Sequence, residues 1–281
     1  MTDHAKRLTQ LAGNYAAAER AVIAAFFRQP LTPRHHLRWL RAQAFKEYSA
    51  IKPIFTALAK LYPRIDCGID RHDYEELTVK LADETKHARL VMDLLEEIGG
   101  KKVTCKDLLW LPEDRKLARV RARYSASYAA LLHGSGTISA KEMRRQDETL
   151  ERAAITLTEG GGGALYQVCS KLPGKDSISK KIAAVFRQIL IDEMGHKDSG
   201  VRALAPLVKS EKAWHLAQRI ICDVSGQRLR MRSEQFGFPL NDTEIAELNR
   251  RARAMDTRVD LRPGSGTGIL SRYAVASCSR R

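Results

Sequence analysis

The sequence predicts an all-α protein, and three observations support this fold class. Long segments space their apolar residues three and four positions apart, which is the period of one helix face. Signals for helix starts and ends flank these segments, such as Thr32 followed by Pro33, and Gly99 followed by Gly100. No segment shows a convincing alternation of apolar and polar residues, as a strand would. With 281 residues, the chain is long enough to bury a sizeable core.

Short turns join the predicted helices, except for a long connection over 101–138 that carries a basic helix of its own. Pro53 should kink the second helix, and Ser139 with Glu142 forms a capping box before a later one. In chain order the helices span about 5–28, 33–61, 70 or 73 to 98, 113–132, 139–172, 177 onward, 209–235 and 242–257. We expect three parts: a helical bundle with an extra N-terminal helix over 1–207, a helical extension over 208–257, and a flexible tail over 258–281.

The composition excludes several classes of protein. The five cysteines are far apart and include no CxxC pair, which excludes a zinc ribbon or rubredoxin-type iron site built on such pairs. No apolar run is long enough to span a bilayer, and the N-terminus lacks a secretory signal, so we expect a cytoplasmic protein with reduced thiols. The net charge of +15 predicts either a solvated basic surface or a docking face for an acidic partner. Such a partner could be an acyl carrier protein, an electron donor or nucleic acid.

One five-residue pattern, DExxH, occurs twice, over 83–87 and over 192–196. A glutamate and a histidine three residues apart lie on one helix face, so both can reach the same metal ion. A single match of this kind would be weak, because a lone Glu or His on a helix is more often a surface group or a satisfied core residue. Both matches, however, fall in the interior of predicted helices.

Each motif is preceded by a lone glutamate on the inward face of the previous long helix. Glu47 lies 37 residues before Glu84, and Glu159 lies 34 residues before Glu193. At 1.5 Å per residue, Glu47 is about 22 Å from the end of its helix and Glu84 about 21 Å from the start of the next. An antiparallel pair therefore brings the two carboxylates to one height. Glu159 is about 20 Å from the end of its helix at Leu172, and Glu193 is about 24 Å from the start of the next helix at Ser177. The same half-site therefore occurs twice.

Four carboxylates and two imidazoles at one level of a helical bundle suit a pair of divalent metal ions. The arrangement takes one glutamate from each of two helices and a Glu-x-x-His from each of the other two. Burying six such groups without metal would cost many kcal/mol. The predicted ligands, which would also carry the catalysis, are Glu47, Glu84, His87, Glu159, Glu193 and His196.

This motif set resembles that of the ferritin-like di-iron carboxylate superfamily, over about residues 33–207. The superfamily includes rubrerythrins, bacterioferritins, ribonucleotide reductase small subunits, multicomponent monooxygenases and acyl-carrier-protein desaturases, and the motifs do not select one member. The resemblance implies a four-helix bundle with a long middle crossover, and two bound iron ions, with a manganese–iron or di-manganese pair as alternatives. It also implies that Asp83 and Asp192 hydrogen-bond ligating histidines. Their alternative role is solvent-facing helix charge.

The resemblance implies an oxidoreductase that activates dioxygen or peroxide with an external electron donor. The rubredoxin module of rubrerythrins is missing, and the 75 residues from Glu84 to Glu159 exceed the corresponding spacing of ferritin cages, so iron storage is not expected. A monooxygenase or desaturase acting on an organic substrate is the first choice, and a peroxidase or ferroxidase is the second. A basic helical protein that binds nucleic acid and has a structural metal site is the alternative from another class.

Four consecutive glycines at 160–163 follow Glu159 directly. Each glycine in a helix interior costs about 1 kcal/mol relative to alanine. Gly162 and Gly163 share the face of Glu159 one turn away, so they either leave a pocket beside the metal ions or allow two helices to approach closely. Tyr166, a further turn along, could line that pocket, act as a redox tyrosine or belong to the core. The helices after Pro206 either cover the site or mediate a homodimer, and the sequence leaves both open.

Overall fold

Helices make up most of the part of the chain that the computed structural model describes, which is residues 3–67, 71–133, 148–174, 176–194 and 199–254. No strand occurs within these ranges, so the predicted all-α class is confirmed. Two short 3₁₀ helices, Tyr62–Cys67 and Cys105–Asp107, accompany the α-helices. The α-helices are α1 (Asp3–Phe27), α2 (Pro33–Leu61), α3 (Arg71–Gly99), α4 (Pro112–Tyr124), α5 (Ala126–His133), α6 (Glu148–Cys169), α7 (Ser177–Met194), α8 (Ser199–Leu204), α9 (Glu211–Gln235) and α10 (Asp242–Arg253).

Most predicted helix ends agree with the observed ones. The start of α2 follows Thr32, whose backbone N–H donates a hydrogen bond to His35 Nδ1 at 3.0 Å. The end of α3 is followed by Gly100 at a φ of +66°, in the left-handed region that glycine adopts at least cost. The basic helix expected over 113–132 is in fact two helices, α4 and α5, because the chain leaves helical geometry at Ser125.

Other boundaries differ from the prediction or cannot be compared with it. Helix α10 ends at Arg253, four residues before the predicted end at 257. Helix α6 ends at Cys169, three residues before the predicted end at Leu172. The expected capping box at Ser139 and Glu142 and the expected tail over 258–281 lie outside the described residues.

The helices that carry the two motifs pack as neighbours. Helix α2 packs along α3, α6 packs along α7, and α3 packs against α7. The other main contacts of α6 are with α1, α8 and α9. Each predicted half-site thus comes from a pair of helices that are successive along the described chain and in contact. The finer arrangement as a ferritin-like four-helix bundle stays a prediction.

Two hydrophobic clusters form the core, and both α1 and α6 contribute to each of them. The first cluster joins α1, α4, α6, α8, α9 and α10, and the second joins the end of α1 to α2, α3, α6 and α7. Helix α9 lies against α1, α4 and α6, and its apolar face is buried in the first cluster. Its last turn reaches the second cluster, where Phe236 packs 5.2 Å from the ring of Trp39. The division of the chain at residue 208 stays a prediction.

The longest helices are amphipathic. Within the described ranges, none of them combines the length and the apolar character that crossing a membrane requires.

Candidate metal centre

Helices α2 and α3 bring together three of the six predicted ligands. Glu47 lies on α2, Glu84 and His87 lie on α3, and one ligand atom from each falls within 4.8 Å of the other two. The cluster is largely closed to solvent, since Glu47 is 4% exposed and His87 is 0% exposed. Two carboxylates and an imidazole at these separations form a donor set for a divalent metal ion.

The ring of His87 is oriented by the second motif. Its Nε2 lies 3.1 Å from Asp192 Oδ2, so Nε2–H donates a hydrogen bond to that carboxylate. Its Nδ1 is buried, has no hydrogen-bond partner among the described residues and lies 3.7 Å from Glu193 Oε1. With the proton on Nε2, Nδ1 presents a lone pair, which is the tautomer that a metal-binding histidine needs.

Asp192 is itself held in place by Lys86. The Lys86 ammonium donates to both carboxylate oxygens, at 2.9 and 2.7 Å. Burial raises the pKa of Asp192, but the hydrogen bonds from Lys86 and His87 outweigh this effect and bring the pKa below its ordinary value. Asp192 is therefore a stable anion that fixes the histidine of the other motif.

Glu84 shows the electrostatic cost of the cluster without a cation. Burial, followed by the negative charges of Glu47 and Glu193, raises the pKa of Glu84 to about 8. Lys80 offsets part of this effect, and Glu159 adds a smaller contribution. A divalent cation would remove the repulsion, because it interacts favourably with every one of these carboxylates.

Glu47 accepts two hydrogen bonds at the same oxygen. Gln43 Nε2 donates to Glu47 Oε1 at 2.6 Å, and the Tyr166 hydroxyl donates to it at 3.0 Å. Tyr166 is 7% exposed, and its burial together with the neighbouring carboxylates raises its pKa well above the ordinary value. The phenol therefore keeps its proton, and Tyr166 is a core residue that also contacts a predicted ligand.

The second half-site is described only in part. Glu193 lies beside His87, as given above, whereas Glu159 accepts a hydrogen bond from the Tyr128 hydroxyl at 3.0 Å and lies 3.8 Å from Arg121 Nη2. Glu159 is not part of the 4.8 Å cluster, and its role as a ligand stays a prediction. His196 lies outside the described residues, and a hydrogen bond between Asp83 and a ligating histidine stays a prediction.

The glycine run is accommodated in a continuous helix, since α6 passes through 160–163 without interruption. A Cβ added at Gly163 would meet no atom of the described residues within 4 Å, so close approach of another described helix does not explain this glycine. The backbone of Gly162 belongs to α6, and its part in a pocket stays a prediction. Open space on this side of α6 is what a pocket requires, and the pocket itself stays a prediction.

Several residues around the cluster were not predicted from the sequence. Gln43 precedes Glu47 by one helical turn and shares its face, which is a signal that the sequence did contain. Lys86 lies inside the first motif, but only the contact with α7 gives it a role. Tyr128 and Gln235 come from distant segments, and no local pattern points to them.

The fold and the cluster together define a broad class: a helical protein with a Glu–Glu–His group that could hold a metal ion. Comparisons with protein-family models, with curated proteins and with solved structures give no match to this chain.

Proposed function

We propose that this chain is a di-iron oxidoreductase of the ferritin-like kind, which activates dioxygen or peroxide and oxidises an organic substrate. The observation that carries the proposal is the buried Nδ1 of His87, which has no hydrogen-bond partner in the part of the chain that the structure describes, although Nε2 is hydrogen-bonded to Asp192. An unsatisfied buried nitrogen costs about 1–3 kcal/mol. A divalent cation held also by Glu47 and Glu84 would satisfy it and neutralise the carboxylates.

Each ion would be held by one half-site. Glu47, Glu84 and His87 hold the first ion, and the repeated pattern supplies ligands for the second ion, namely Glu159, Glu193 and His196. Carboxylate and imidazole donors suit iron and also manganese, so a mixed or di-manganese pair uses the same residues.

The surrounding residues prepare the site for this chemistry. Asp192 holds His87 in the metal-binding tautomer, and Tyr166 keeps its proton while donating a hydrogen bond to Glu47. The burial of Glu47 and His87 excludes water from one side of the cluster. When bound, the iron pair supplies the redox capacity for reducing dioxygen or peroxide, which an external donor restores.

Two features favour an organic substrate over simple peroxide reduction or ferroxidase action. The open space at Gly163 lies on the helix that carries Glu159, where a substrate chain could enter. The net charge of +15 suits an acidic partner that delivers a substrate, such as an acyl carrier protein, or an acidic electron donor. The same charge supports the rival function, a nucleic-acid-binding protein whose metal site is structural.

Metal content and oxygen consumption test the proposal. We would purify the protein from iron- and manganese-supplemented cells and compare it with His87→Ala and with the control His215→Ala, whose side chain is 61% exposed on α9. About two ions per chain are expected in the parent and in the control, and clearly fewer in His87→Ala. Oxygen consumption by the reduced protein is then measured with and without candidate acyl substrates.

The outcomes separate the alternatives. Faster oxygen consumption with a substrate supports the oxygenase, whereas metal-dependent turnover of peroxide or ferrous iron alone supports the peroxidase or ferroxidase. A folded parent without metal overturns the proposal. Salt-dependent binding of generic DNA or RNA that is equal in the parent and in His87→Ala would favour the nucleic-acid-binding alternative.

A further inference from the structure

A continuous chain of hydrogen bonds crosses the core from α1 through α9 to Glu47. Arg232 Nε donates to Glu19 Oε1 at 2.7 Å, and Arg232 Nη1 donates to Gln235 Oε1 at 2.6 Å. Gln235 Nε2 donates to Gln43 Oε1 at 3.1 Å, and Gln43 Nε2 donates to Glu47 Oε1 at 2.6 Å. The last helical turn of α9 is thereby linked to Glu47, a predicted metal ligand on α2.

Every residue of this hydrogen-bond network is buried. Glu19, Arg232, Gln235, Gln43 and Glu47 are each between 0% and 4% exposed. Buried ion pairs and amides can often be replaced by apolar residues without loss of stability, so such a network is weak evidence for a purely stabilising role. A connected polar network does fix the positions of its members, because each unmade hydrogen bond is costly in a low-dielectric interior.

The cations at one end of this hydrogen-bond network determine which way its two amide groups face. Gln235 Oε1 accepts from both Lys46 Nζ, at 2.9 Å, and Arg232 Nη1. Two cations facing one carbonyl oxygen prevent the amide of Gln235 from turning over, so its NH₂ group must face Gln43. The amide of Gln43 is oriented in turn, and its NH₂ group must face Glu47.

The oriented amide of Gln43 in turn orients the carboxylate of Glu47. Its Oε1 accepts from Gln43 and from the Tyr166 hydroxyl, which leaves Oε2 as the oxygen for a cation. Because these donors come from two different helices, α2 and α6, they hold the carboxylate group in one orientation.

We propose that Gln235 and Gln43 form a positioning relay, anchored by Arg232 and Lys46, that holds the carboxylate group of Glu47 in one orientation and thereby sets the affinity and geometry of the metal site. This inference rests on the proposed metal-binding function. It gives the end of α9 a role in the site, although α9 supplies no predicted ligand.

A cobalt(II) titration of the full chain tests the relay. The main variant is Gln235→Glu, whose carboxylate still accepts from Lys46 and Arg232 but cannot donate to Gln43. The matched control is Gln227→Glu, on the same helix, because Gln227 donates to Glu113 and has no link to Glu47. Gln43→Met, which removes the last link without changing charge, serves as a second variant should Gln235→Glu fail to fold.

We expect the relay variants to bind cobalt(II) about 10–100-fold more weakly than the parent, as is typical for partners of metal ligands. Their visible absorption at saturation should also differ from that of the parent, because Glu47 is no longer held in one orientation. An added negative charge alone would strengthen cation binding, so weaker binding by Gln235→Glu identifies the lost donor. Gln227→Glu should bind cobalt(II) with the spectrum of the parent.

Parent-like affinity and spectrum in a folded relay variant would overturn the relay while leaving the metal site intact. A parent that binds no cobalt(II), iron(II) or manganese(II) would overturn the proposed function, and the relay would fall with it.

Discussion

Replacing Glu84 with glutamine should stabilise the metal-free protein, although it removes a predicted ligand. In the metal-free fold, burial and the charges of Glu47 and Glu193 raise the pKa of Glu84 from 4.5 to about 8. At pH 7 the folded chain therefore keeps a proton on Glu84 that the unfolded chain releases. Glutamine is neutral in both states, so the variant avoids this difference.

The magnitude follows from the pH interval. Between the ordinary pKa of 4.5 and pH 7, the unfolded carboxylate gains about 1.4 kcal/mol per pH unit over the protonated form, or about 3.5 kcal/mol in total. Partial exposure of Glu84 reduces this, and we expect about 2 kcal/mol at pH 7. Because the folded state binds more protons than the unfolded state, this contribution lowers stability as pH rises from about 4.5 to about 8 and then levels off.

Urea unfolding after chelator treatment measures the effect. The unfolding free energy of Glu84→Gln minus that of the parent should be smallest at pH 5 and reach about 2–3 kcal/mol at pH 8. Glu97→Gln, an exposed change on the same helix, should show no such dependence. Saturating cobalt(II) should make the parent more stable than Glu84→Gln, because a ligand at 100 times its Kd stabilises the fold that binds it by about 2.7 kcal/mol. An equal difference at pH 5 and pH 8 would refute the argument.

Three further predictions concern stability and metal affinity. Arg232→Met should lower the unfolding free energy by about 3–5 kcal/mol, because Glu19 is left as a buried unpaired charge. Adding Glu19→Leu should restore most of this loss, and recovery of less than half would contradict that reason. Gly163→Ala should raise the unfolding free energy by about 0.5–1 kcal/mol, since its Cβ meets no atom within 4 Å, and a decrease would mean that the space is filled. Asp192→Asn should weaken cobalt(II) binding about 10–100-fold through His87, whereas the exposed Asp93→Asn should not, and equal affinities would refute this role.

Local sequence signals were sufficient to predict most helices and the position of Glu47, Glu84 and His87 along them. Apolar spacing and the residues at helix ends located α1 to α3 to within a few residues, because these signals act over one or two turns. The height of Glu47 above the turn between α2 and α3 matched that of Glu84, because helical rise is constant. The cluster of Glu47, Glu84 and His87 follows from these local rules.

Only the tertiary structure decided which helix faces meet around that cluster. Asp192 contacts His87 across 105 positions of the chain, and Gln235 contacts Gln43 across 192. Periodicity specifies which side of a helix is buried, but not which helix covers it or which polar groups then come within hydrogen-bond distance. The family resemblance implied that Asp192 hydrogen-bonds a histidine, but only the contact between α3 and α7 identifies that histidine as His87. The orientation of Glu47 likewise depends on contacts between distant segments, which no local pattern specifies.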